Sequence, residues 1–226
     1  ALRPQGIEGV HLTGAGHSPD LWYPYLWMLG GDIVSFKQGH PTKGTYWYPS
    51  FNGTEGIRAL NFIKEQVDAG ILPQKDHFWG EEFLDRKFAV MIEALQHHVP
   101  ITTPLNRTHF EQNVGFIPMF PVPDETTRTS TLMGGWELGV PVTSAHKDLA
   151  WELITIMLEP QMLGPYLTKH ANMPTQIPIG EGQYSLEPRE VVPYYDQLVS
   201  MIPNGGTRPS IPEYPQIAEF IKEALD

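Results

Sequence analysis

The stretch MGGWELGVPVTSAHKDLAWELITIMLE, Met133 to Glu159, decides the reading of this chain. Gly134 and Gly135, with Trp136 beside them, lead into Leu138 to Val142, a short apolar run whose composition predicts a buried strand. Glycines ahead of such a strand let the backbone approach another body closely, and the tryptophan offers that body a flat apolar face. A Ser/Thr turn follows, in which Ser144 is placed to cap a helix and Asp148 sits near its positive end. Ala150, Trp151, Leu153, Ile154, Met157 and Leu158 then recur at helical spacing, which predicts an amphipathic helix with Trp151 in the core. The stretch is a binding edge followed by a packing helix.

Working outward, a short helix is expected over Leu21 to Leu29, with Pro19 and Asp20 at its start. Thr54 is positioned to cap a helix whose apolar face is Ile57, Leu60, Ile63 and Val67, ended by Gly70. A second short helix is expected over Trp79 to Arg86, and Phe88 to Ile92 suits a buried strand. Val114 to Met119 reads as another strand, and Pro118, Pro121 and Pro123 make the following stretch the best hinge candidate. Pro160 opens a helix that closes near Lys169. A polar loop from Ala171 to Ser185 leads to a helix over Pro188 to Met201, in which Pro193 predicts a kink or a late start. Asn204-Gly205-Gly206 reads as a loop, and Pro212 opens the last helix. Helices interleaved with short buried strands make the class α/β.

Composition narrows the partners. The chain has 226 residues, enough for a real core, and a net charge of −11, which argues against nucleic acid and anionic membrane surfaces. There are no cysteines, so neither a disulfide scaffold nor a thiolate metal site is available. No apolar run is long enough to span a membrane. Six tryptophans, nine tyrosines and ten phenylalanines, many near expected element ends, suit a ligand with apolar C–H faces and a ring of hydroxyls.

Several segments, in order, resemble the extracellular solute-binding proteins of ABC importers, the maltose-binding-protein-like group that mostly carries sugars. The stretch from Met133 resembles the segment where that family's chain re-enters its N-terminal lobe. GTEGIRALNFIKEQVDAGIL, Gly53 to Leu72, resembles the helix that follows the family's Gly-Gly segment, here Gly30-Gly31. FLDRKFAVMIE, Phe83 to Glu93, resembles its short helix and strand, and VGFIPMFPVP, Val114 to Pro123, its interlobe crossing. HANMPTQ, His170 to Gln176, and PSIPEYPQIAEFIKEAL, Pro209 to Leu225, resemble the loop before its final helices and the last of these.

The resemblance implies a type II periplasmic-binding-protein-like fold, mostly the C-terminal lobe with a returning segment of the N-terminal lobe. Residues 1–118 would form the α/β portion of the C-terminal lobe, 119–172 the hinge crossing and the returning segment, and 173–226 C-terminal-lobe helices. Most of the N-terminal lobe would precede Ala1. The implied role is the substrate-binding subunit of an ABC transporter. It would capture a sugar in an interlobe cleft by hinge closure and deliver it to a membrane permease. The implied location is periplasmic or extracellular, with any lipid anchor carried by a preceding segment.

Residue chemistry and resemblance together give the candidate ligand contacts Trp136, Gly135, Trp22, Glu93, His97 and Tyr214. Trp22 lies in the aromatic segment ahead of Gly30-Gly31, and Tyr214 falls near a family ligand contact before the last helix. Where the family often places a sugar-stacking tryptophan, this chain has Ala94-Leu95-Gln96-His97-His98, a departure that argues against a maltose-like ligand. Glu93, at the strand end, can accept hydroxyl hydrogen bonds.

The competing class is a carbohydrate-active enzyme domain with an aromatic cleft. Its carboxylates would come from Glu81, Glu82 and Glu93, but Glu81 and Glu82 are adjacent on an expected helix and diverge. A third reading is an interaction fragment whose exposed face is left by a missing lobe. No nucleophile elbow, phosphate loop, dinucleotide fingerprint or zinc-spaced histidine pair is present, so no catalytic residue, metal or cofactor is expected.

Overall fold

Glu8–Leu12 (β1) and Phe88–Ile92 (β4) pair in parallel, Val10 opposite Val90 and Leu12 opposite Ile92. Parallel strands need a long crossover, and this one carries a helix, a hairpin and a second helix. These are Pro19–Met28 (α1), Val34–His40 with Gly44–Pro49 (β2 and β3, antiparallel), and Thr54–Asp68 (α2). The computed structural model describes residues 6–12, 19–40, 42, 44–72, 87–92, 111–118, 129–180, 184 and 186–225. The expected helix over Trp79 to Arg86 lies outside the described residues.

The later elements are Thr131–Met133 (β5), Lys147–Met157 (α3), Pro160–His170 (α4), Ile177–Gly180 (α5), Leu186–Val191 (α6), Tyr195–Met201 (α7), Gly205–Thr207 (β6) and Tyr214–Leu225 (α8). Two compact units contain them. The first holds Ala1–Glu93, Ile117–Gly134 and Met201–Asp226, and the second Ala94–Phe116 and Gly135–Ser200.

In the first unit α1 is buried almost all round, so it reads as hydrophobic on every face. Leu21, Trp22, Tyr23, Tyr25, Leu26 and Met28 meet Ile33, Val34, Ala59, Ile63 and Ile221 in one core. α2 turns Gly56, Ala59 and Ile63 inward, whereas Ile57, expected on the apolar face, is exposed. An added Cβ at Gly56 would collide with the Phe51 carbonyl, so the helix packs there as glycine or not at all. Thr54 is the first helical residue, not the cap; Gly53 takes that position without a side-chain bond. Gly70, at φ +64°, ends the helix as expected.

Two expected strands are not formed. Leu138 to Val142 is exposed, irregular chain, because Gly139 and Pro141 weaken a ladder. Residues 114–118, interrupted by Gly115 and Pro118, likewise form no strand. The strand in this region lies just upstream, where β5 pairs in parallel with β6, Leu132 opposite Gly206. β6 stands where Asn204-Gly205-Gly206 reads as a loop from sequence. Packing restricts Gly206, where an added Cβ would sit 2.5 Å from Trp27 Cε3, whereas one at Gly205 would require the flexible Met133 side chain to shift.

The second unit has a small core of Ala171, Val192 and Tyr195, joined by Met173 and Val199. Ser144 Oγ accepts from the His146 amide at 3.2 Å, one residue ahead of α3. Pro193 divides its helix as anticipated, giving α6 and α7, with Tyr194 between them at φ +56°. Tyr194 also donates its hydroxyl to the Val114 carbonyl and stacks on Phe116. α3 buries only Ile154. Trp151, expected in the core, is 64% exposed, as are Leu149, Leu153, Ile156, Met162 and Tyr166 to comparable degrees. The helical spacing is real, but the apolar face it creates is uncovered.

Gly206→Ala should destabilise the chain by about 1–3 kcal/mol through overpacking against Trp27, read as a lowered urea midpoint. Gly134→Ala, whose added Cβ meets nothing within 4 Å, should stay within about 0.5 kcal/mol of the parent. Equal effects of the two changes would contradict the packing described.

Candidate functional site

Asp20, Tyr23 and Trp27 recur at three- and four-residue spacing, so α1 presents them on one face. Against that face lie β6, the segment after it, and the start of α8. Arg208 donates to Asp20 through two bonds, Nε to Oδ1 at 3.1 Å and Nη2 to Oδ2 at 2.5 Å. The Tyr23 and Tyr214 hydroxyls share a hydrogen bond of 3.0 Å. The Tyr23 ring lies 5.7 Å from Trp27, whose Nε1 donates to Asp32 Oδ1 at 3.4 Å. Two aromatic hydroxyls and an ion pair thus sit side by side in the first unit.

Electrostatics follow burial. Desolvation, then the bond to Tyr214, holds the Tyr23 phenol well above its ordinary range. Burial raises Tyr214 as well, while its bond to Tyr23 pulls the other way. The hydrogen bonds to Asp20 hold the Arg208 guanidinium still more firmly protonated. All three keep their neutral-pH protonation.

The second unit supplies a different feature. Gly135 and Trp136 open its longer segment, immediately after the boundary at Gly134. An added Cβ at Gly134 or Gly135 meets nothing within 4 Å, so packing among the described residues does not require glycine there. Trp136 is 85% exposed.

The sequence-derived candidates are therefore distributed. Gly135 and Trp136 stand together in open surroundings, and Tyr214 is tied to Tyr23. Trp22 is in the core, 4% exposed, its ring edge-on to Phe51 and its indole N–H buried without a partner among the described residues. It steadies α1 from inside instead of standing at a surface. Glu93 and His97 lie outside the described residues. Sequence reasoning missed Asp20, Tyr23, Trp27 and Arg208 as a group. The stripe on α1 was available from spacing, but nothing local pointed to Arg208. Among the described residues no group of His, Asp and Glu is placed to hold a metal, and no helix is long and apolar enough to cross a membrane.

No family model matches the chain. Solved structures do. The GacH receptor of Streptomyces glaucescens, determined unliganded and with acarbose, aligns over 99% of this chain and 54% of its own, at 22% identity and TM-score 0.73. An ABC transporter solute-binding protein from Thermotoga lettingae, bound with α-D-tagatose, covers 99% and 54% at 18% identity and TM-score 0.69. The cyclic α-maltosyl-1,6-maltose binding protein of Arthrobacter globiformis covers 99% and 56% at 25% identity and TM-score 0.59. The chain spans about half the length of the solved proteins it matches. Its fold is the α/β, type II periplasmic-binding-protein fold that the sequence led us to expect, and these neighbours are binding proteins for sugars and related solutes.

Folding keeps Tyr23 and Tyr25 protonated beyond pH 10, where tyrosines of the unfolded chain ionise. Their contribution to stability is complete below about pH 10 and is lost as pH rises beyond it. The melting temperature should therefore hold steady up to that point and fall above it. Tyr23→Phe should make the fall shallower; an identical fall in the variant would remove Tyr23 as a cause.

Proposed function

We propose that this chain is part of the substrate-binding subunit of an ABC transporter, and that it captures a sugar or oligosaccharide by closing two lobes around it. The observation that carries the proposal is the junction at Gly134, Gly135 and Trp136. Two glycines that no packing among the described residues requires precede a largely exposed tryptophan, at the point along the chain where one compact unit ends and the other resumes. Open backbone admits a ligand or a bend, and an indole face suits the C–H side of a sugar ring. The likeness to structures solved with tagatose and acarbose supports the same ligand chemistry.

In this reading Gly135 and Trp136, on the second unit, and Tyr214, on the first, are candidate ligand contacts. Glu93 and His97 remain candidates for hydroxyl contacts. Trp22 holds the scaffold. The bend falls near residues 114–121, which include the unit boundary between Phe116 and Ile117. Residues 1–118 and 173–226 serve the C-terminal lobe, and 119–172 cross and return to the other. The compact units divide the chain at different places, with residues 94–116 and 173–200 grouped alongside 135–172, and α6 packs against α4 within that unit. A membrane permease would read the closed form, at a periplasmic or extracellular surface. The exposed apolar face of α3 and α4 would be covered by the rest of a longer polypeptide.

Trp136→Ala in the full-length protein should weaken sugar binding at least tenfold, about 1.4 kcal/mol, with an unchanged melting temperature. Calorimetry on both forms reads this directly. Undiminished affinity would remove Trp136 from the site. The 226-residue chain alone should bind the same sugar far more weakly than the full-length protein; equal affinity would overturn the two-lobe account.

A further inference from the structure

Tyr194 stands in left-handed backbone, φ +56°, which a bulky residue rarely adopts and which glycine would take freely. Its neighbours Pro193 and Tyr195 are buried, and its carbonyl accepts the Leu198 amide at 3.0 Å as α7 begins. The second unit's core thus holds the residue at its base. From there it reaches one segment, residues 111–116. Its amide donates to Glu111 Oε1 at 3.3 Å, and its hydroxyl donates to the Val114 carbonyl. Its ring stacks on Phe116, with centroids 5.7 Å apart and planes 26° from parallel. A glycine would spare the backbone but supply neither hydroxyl nor ring, so the side chain is what the strain keeps in place. The last of these contacts falls on Phe116, the residue before the boundary between the units, and Ile117 beyond it is 60% exposed.

We propose that Tyr194 fixes residues 111–116 to the second unit, so that the bend of lobe closure starts beyond Phe116. The inference rests on the sugar-receptor proposal and narrows its hinge, from residues 114–121 to those after 116. A single bond would let the segment pivot. An amide, a hydroxyl and a ring that engage residues 111, 114 and 116 in turn do not. A stretch already held in one conformation need not be ordered again each time the lobes close, so less of the binding free energy goes into ordering chain. Tyr194 is therefore a positioning residue, acting on the ligand only through the chain it holds.

The test places a nitroxide label at Gly115→Cys in the full-length protein. An added Cβ there meets nothing within 4 Å, and this chain has no cysteine of its own. Electron spin resonance reads the label's mobility, and calorimetry reads affinity across a panel of uncharged sugars that includes maltotriose and α-D-tagatose. In the parent the label should be restricted, with one spectrum whether or not sugar is bound. Tyr194→Gly relaxes the backbone but drops the ring and hydroxyl. It should shift the sugar-free spectrum to a mobile one and lose about fivefold in affinity, because closure must then order the freed segment. Tyr194→Phe keeps the stack and should fall between the two in both readouts. If Tyr194 only braces the fold, Tyr194→Gly lowers the melting temperature and leaves the label restricted. That pattern, a mobile label with the parent's affinity, or a parent spectrum that changes when sugar binds overturns this inference and leaves the receptor proposal standing. If no sugar of the panel binds the parent, the receptor proposal fails and this inference with it.

Discussion

Trp27 lies against Gly206 so closely that no side chain at that position would leave the indole where it is. The polar face of α1 is arranged around this contact. That contact brings β6, more than seventy residues beyond β5, into the register where Leu132 faces Gly206. Once β6 is held there, the next residues run along α1, and Arg208 reaches Asp20 across 188 positions of sequence. Tyr214, at the start of α8, reaches Tyr23 in the same way. α1 can serve as this anchor because its own residues are buried on nearly every side. The polar cluster is thus set by the core beneath it, and the side chains that form it have little freedom to drift.

The second unit is built on the opposite principle. Its buried core is small, and α3 contributes only Ile154 to the interior. Trp151, Leu153 and Met157 face outward on a helix whose spacing says they should be covered. Large apolar side chains left exposed on a helix are expected to meet a partner. On the receptor proposal that partner is further polypeptide of the same protein, which accords with the chain spanning about half of the proteins it matches. Gly135 and the exposed Trp136 belong to this unit, as does the apolar face of α3.

Much of the fold was legible because its signals are local. Pro160 opened a helix where it stands, Gly70 closed one, Pro193 split another, and Phe88 to Ile92 formed the strand its apolar run implied. β6 was not legible, since Gly205-Gly206-Thr207 carries no strand pattern of its own. It is extended because β5 pairs with it and Trp27 needs the room. Trp151 shows a different limit: periodicity reveals which face of a helix is apolar, not whether anything lies on it. The site divides in the same way. Gly135, Trp136 and Tyr214 stood out through motif and order, whereas the partner of Asp20 depends on a strand pairing no window of sequence contains.

The central claim is that the protein binds a sugar as cargo. A thermal-shift screen of the full-length protein tests it most directly, with uncharged mono- and oligosaccharides set against amino acids and oligopeptides. Ligand that binds the native state raises the melting temperature by mass action. The account predicts a saturable rise with one sugar class and no product released. A rise with an amino acid or oligopeptide, and none with any sugar, would contradict it while leaving the fold intact.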